Sequence, residues 1–122
     1  MITYRQIDDF SIGDTYKLTR TTDAYASTVS AAFLTIKSDL GLADQDAEIA
    51  ISISETGTAN GQVINNVDGT ATLNFIIVPT ASYMMDRLAT YLYDIHLNLT
   101  SGEKYQIEQG KLFTTGSVTQ VH

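Results

Sequence analysis

The chain has 122 residues, 43% of them apolar and 17% charged, with 14 acidic against 7 basic side chains and a net charge of −7. That length suits one domain with a single core, and the composition excludes a disordered chain. The seven cations are scattered, so no surface gains from counterion release and no nucleic-acid partner is expected.

No apolar stretch approaches the roughly 20 residues that span a bilayer, so no membrane partner is expected either. The N-terminus lacks the basic start and apolar run of a signal peptide. Cysteine is absent, which removes disulfides and thiolate metal sites. No repeat or composition break divides the chain, so residues 1–122 read as one domain.

The first predicted element runs from Phe10 to Thr21, where Phe10, Ile12, Tyr16 and Leu18 share parity. Gly13-Asp14 is the place for a bulge or a break within it. Thr28 to Lys37 reads as the next strand, with Ala32, Leu34 and Ile36 on one face and Phe33 on the other. Ser38 to Asp46 is a polar connection. Ile49, Ile51 and Ile53 then alternate with Ala50, Ser52 and Ser54 in a half-buried strand.

Glu55 to Gly61 reads as a loop and Gln62 to Ile64 as a short strand. Asn65 to Gly69 is a turn whose Asp68-Gly69 tolerates positive φ. Thr70 to Val78 returns with Ala71, Leu73, Phe75 and Ile77 on one face. Pro79 ends that strand, and Thr80 caps one short helix over 80–88.

Tyr91 to Thr114 reads as a hairpin. Tyr93, Ile95, Leu97 and Leu99 share its apolar face, and Asp94, His96 and Asn98 share the other. Matching apolar faces sets Leu99 opposite Tyr105, Leu97 opposite Ile107 and His96 opposite Glu108. The loop then holds three to five residues centred on Gly102. A bulge at Gly110 restores the parity of Leu112.

About seven short strands joined by turns, with one helical turn inserted, predict an all-β, immunoglobulin-like two-sheet sandwich. A small closed barrel is the other option. The connections Ser38 to Asp46 and Glu55 to Gly61 are read as crossings between sheets.

Catalytic chemistry finds little purchase. A nucleophile needs a base, and the histidines are His96, mid-strand, and the terminal His122. Asp94 and His96 share a face simply by strand pleating. No Gly-x-Ser-x-Gly elbow or phosphate-cradling loop is present. The chain is expected not to be an enzyme and to need no cofactor.

Asp44, Asp46 and Glu48 alternate at a loop-to-strand junction and are the candidate metal ligands, for Ca²⁺. The run lacks the glycine and distal Glu of an EF-hand, so solvated loop acids are the other reading. Seven tyrosines suggest either core packing or a sugar-stacking platform. The second reading makes the chain a carbohydrate-binding β-sandwich module, assisted by calcium.

One further signal spans Tyr91 to Thr119. Tyr91, Tyr93, Asp94 and Ile95 are followed by the turn at Gly102, the apolar Ile107, Gly110 and a closing Val118-Thr119. This pattern resembles the C-terminal half of small β-sandwich virion proteins of tailed bacteriophages, including the N-terminal domain of baseplate upper proteins. Gln6 to Phe10 is similar to the opening of the same group. The Ser38 to Asp44 connection departs from the pattern.

The resemblance implies a structural component located in a phage virion. It would act through contact with other virion proteins, as a capsid decoration protein or a head–tail or baseplate connector. Such domains assemble as homo-oligomers. The expected contact elements are the terminal segments 1–9 and 114–122, through Ile2, Tyr4, Ile7, Val118 and Val121. Frayed ends are the alternative reading of both segments.

Overall fold

The computed structural model describes residues 3–11, 14–38, 49–78 and 89–115. Eight strands form within them: β1 (Thr3–Ser11), β2 (Tyr16–Thr21), β3 (Val29–Lys37), β4 (Ile49–Ser54), β5 (Gly61–Asn65), β6 (Ala71–Ile77), β7 (Thr90–Leu99) and β8 (Lys104–Thr115). They make a five-stranded sheet in the order β1-β8-β7-β3-β4 and a three-stranded sheet in the order β2-β6-β5. The protein is therefore all-β among the described residues, and the two sheets make a sandwich. The helix expected over 80–88 lies outside the described residues.

The core forms where the inner faces meet, as alternation requires. Leu34 and Ile36 of β3, Ile49, Ile51 and Ile53 of β4, and Tyr93, Ile95 and Leu97 of β7 contribute from the larger sheet. Leu18 of β2, Val63 of β5, and Leu73, Phe75 and Ile77 of β6 contribute from the smaller. Every alternation expected for β3, β4, β6 and β7 is the one buried. Asn65 joins the sheets: its side-chain amide accepts from Val29 N at 2.9 Å and donates to Val29 O at 3.1 Å.

Four expectations need correction. Phe10 to Thr21 is broken between Ser11 and Tyr16, as a break at Gly13-Asp14 allowed, but its two parts lie in different sheets and do not form one element. The chain breaks after Ser11, whose hydroxyl donates to Asp14 Oδ2 at 2.6 Å, and Phe10 packs its ring 5.0 Å from Tyr16. The N-terminal segment, expected to add a strand to a neighbour's sheet, adds one to its own: β1 pairs parallel with β8 from Thr3–Glu108 to Ser11–Thr115. Ser38 to Asp46 does not join the two sheets, since β3 and β4 are antiparallel neighbours. Glu55 to Gly61 does.

The fourth concerns the final hairpin. Its register is Leu97–Tyr105 and His96–Gln106, two residues from the expected pairing. A bulge is present, but at Ile107: Gln106 and Ile107 together face His96, and the ladder resumes at Ile95–Glu108. Leu112 then meets Tyr91 on the inner face, so the parity is repaired three residues before Gly110.

The expected loop length holds. Leu99 N donates to Glu103 O at 2.8 Å and Gly102 N to Leu99 O at 2.9 Å, enclosing Thr100 to Gly102. The β5–β6 hairpin repeats that arrangement through Asn66, Gly69 and Thr70. Gly102 and Gly69, at φ 97° and 90°, supply the left-handed residue that a three-residue hairpin loop needs.

Candidate functional site

The bulge at Ile107 has a chemical consequence. It rotates Glu108 from the outer face of β8 to the inner one, opposite Ile95. A carboxylate there costs several kcal/mol unless it is paired and hydrogen-bonded. Glu108 is 3% exposed, and each of its oxygens is occupied. Oε1 accepts from Arg20 Nε at 2.7 Å and lies 3.4 Å from Arg5 Nε. Oε2 accepts from the Tyr93 hydroxyl at 2.5 Å.

Each partner is placed by strand geometry. Arg20 follows Leu18 by two residues on β2 and so shares its inward face. Arg5 comes from β1, opposite Gly110. Tyr93 also stands opposite Gly110 across the β7–β8 ladder. A Cβ at Gly110 would sit 1.8 Å from Arg5 O and 3.1 Å from Tyr93 Cε1, so glycine alone lets β1, β8 and the Tyr93 ring approach this closely. The four side chains tie β1, β7 and β8 of one sheet to β2 of the other.

The electrostatics follow. Burial works against the Arg20 charge, but the hydrogen bond and charge of Glu108 outweigh it and hold the guanidinium more firmly protonated. Burial, and then Glu108, push the Tyr93 phenol above its ordinary value, while Arg20 pulls the other way. Among the described residues no buried side-chain nitrogen or oxygen lacks a hydrogen-bond partner. The one carboxylate of the cluster is fully engaged, while Arg5 remains half-exposed.

Outside the network lies a cavity of about 320 Å³. Arg5, Arg20, Thr21, Asp23, Tyr25 and Glu108 are among the residues that line it. Tyr25 is fixed by stacking on Tyr105, with ring centroids 5.2 Å apart and planes 20° from parallel. Burial and then the Asp23 charge raise the Tyr25 phenol above its ordinary value.

A second depression, of about 450 Å³, opens on the outer face of the five-stranded sheet between Phe33, Ala50, Ser52 and His96. His96 is exposed there, with Nε2 3.6 Å from Asp94 Oδ1. It faces Gln106 instead of Glu108, so the pair expected on the outer face does not form.

The residues expected to act disperse. Tyr4 is 71% exposed on β1, whereas Ile7 of the same strand is buried in this chain's own core and leaves the set of outward contacts. Ile2, Val118, Val121 and the acids Asp44, Asp46 and Glu48 lie outside the described residues. Among the described residues no three His, Asp or Glu side chains are grouped as metal ligands.

Sequence reading missed the Glu108 network. A signal for it existed: Arg20 stands at core parity with Leu18, and an inward arginine calls for an inward carboxylate. No protein-family model matches this chain, and no curated protein matches it either.

Proposed function

We propose that this chain is a structural component of a tailed-phage virion that works by protein–protein contact and carries no catalytic activity. Its role is either capsid decoration or a place in the head–tail or baseplate connector. An immunoglobulin-like strand arrangement is part of this reading, and so is a location in the assembled particle. The similarity of residues 91–119 to small phage β-sandwich proteins supports it.

The observation that carries the reading is the edge formed by β4. Among the described residues β4 pairs with β3 alone, and its sequence, Ile-Ala-Ile-Ser-Ile-Ser, has no charge, proline or glycine. Sheet edges are usually guarded by such residues. At the opposite edge β1 carries Arg5 and Asp8. An uncharged edge can pair with itself about a two-fold axis, because no charge then meets its own copy. A second copy of the chain is therefore the occupant this edge suits.

Mass spectrometry of purified particles made by the genome that encodes the chain tests the function. The chain should be present, in hundreds of copies for a capsid role or about six or twelve for the tail axis. Its absence from the particles would defeat the reading.

A further inference from the structure

We propose that the cavity between β1, β2 and the bulge of β8 binds one neutral sugar ring of a glycan. This goes beyond the structural role and does not depend on where the chain resides.

The lining selects the ligand by charge. Arg5 and Arg20 are offset by Asp23 and Glu108, two positive against two negative, so the charged lining sums to zero. An anion entering the cavity would meet two carboxylates, and a cation two guanidiniums. A neutral ligand carrying both donors and acceptors meets neither penalty. A ring of vicinal hydroxyls fits, because each hydroxyl both donates and accepts. The arginines supply donors, Asp23 an acceptor, and Thr21 a group that serves as either.

Glu108 is the one charged lining group already engaged on both oxygens. Its task is to hold the arginine heads together at the cavity wall. Arg5 is 54% exposed, and its contact with Glu108 is the longer one, so its terminal nitrogens remain available to a ligand.

Tyr25 completes the fit. A sugar ring presents an apolar face of C–H groups, which an aromatic ring covers. Tyr25 is stacked on Tyr105, which limits the freedom it has left to lose on binding. The volume lies near the floor of the roughly 300–1,000 Å³ spanned by small-molecule sites, which suits one ring and not a stacked chain.

The test is a titration of the full chain with D-glucose, D-galactose and N-acetylglucosamine, followed by amide chemical shifts. Sodium acetate and sodium sulfate serve as anion controls. At least one sugar should shift the Thr21, Asp23 and Ile107 amides saturably, with a dissociation constant on the order of 1 mM. Asp23→Asn and Arg5→Ala should each weaken it about tenfold with the circular dichroism spectrum unchanged. The proposal is overturned if no sugar shifts these amides, if both variants bind as well as the parent, or if acetate or sulfate saturates the same amides.

Discussion

The Tyr93 hydroxyl donates to Glu108 Oε2 at 2.5 Å within the buried face of the β7–β8 ladder. That bond exists because the bulge at Ile107 turns Glu108 inward and because Gly110 leaves room for the Tyr93 ring. Removing either partner should expose the difference between a buried charge and a surface one.

Glu108→Gln keeps the shape and removes the charge, leaving Arg20 without its counter-ion. It should cost about 3 kcal/mol of folding stability. Arg5→Ala removes a half-exposed partner of the same carboxylate and should cost less than about 1 kcal/mol. Urea unfolding of the two variants beside the parent measures the contrast. Equal losses would show that Glu108 faces solvent.

Alkaline pH should loosen the same network. The folded protein holds the Tyr93 proton more tightly than the unfolded chain, whose tyrosines titrate near pH 10. A raised folded value makes a contribution that is complete below pH 10 and is lost as pH climbs beyond it. Stability measured from pH 8 to 11.5 should therefore fall above pH 10, and Tyr93→Phe should flatten that fall. An equally steep decline in the variant would rule out Tyr93 as its source.

Gly110→Ala tests the close approach of β1. The added methyl would be driven into the Arg5 carbonyl, and β1 must shift to accept it. A loss of about 3 kcal/mol is expected, at the upper end of the overpacking range. Gly102→Ala is the informative control, because a Cβ there meets open space and only the positive φ opposes it. That change should cost about 1 kcal/mol. Denaturant midpoints for both variants give the comparison.

The edge of β4 predicts association. Ala50 and Ser52 are its exposed positions, and lysine is a common edge guard. Sedimentation should show a dimer for the parent chain and a monomer for Ser52→Lys, whose unfolding midpoint should match that of the parent diluted to where the dimer dissociates. A parent that remains monomeric at high concentration would leave the β4 edge without its proposed occupant.

Much of this was legible in the sequence. Period-two alternation located Ile49, Ile51 and Ile53, and likewise Ala71 to Ile77, because a half-buried strand has no other way to place its apolar side chains. The turn at Asp68-Gly69 and the loop at Gly102 were readable from backbone preference. The register of the last hairpin was not. Matching Leu97 to Ile107 and matching Leu97 to Tyr105 both keep apolar faces together, so face-matching alone cannot choose between them.

The choice is made by residues distant in sequence. Arg20 needs a carboxylate, and Glu108 reaches it only with the bulge at Ile107. The strand role of Thr3 to Ser11 was hidden for a similar reason. Its partner β8 lies a hundred residues away, so its polar sequence read as a strand for a neighbour's sheet and not for its own.

The inward turn of Glu108 underlies the network, the cavity wall and the placement of β1. Cross-strand nuclear Overhauser effects in the β7–β8 ladder test it most directly. Contacts joining Ile95 to Glu108 and Tyr93 to Gly110, with His96 beside Gln106, are the predicted result. Contacts joining His96 to Glu108 and Leu97 to Ile107 would put the carboxylate on the outer face and contradict it.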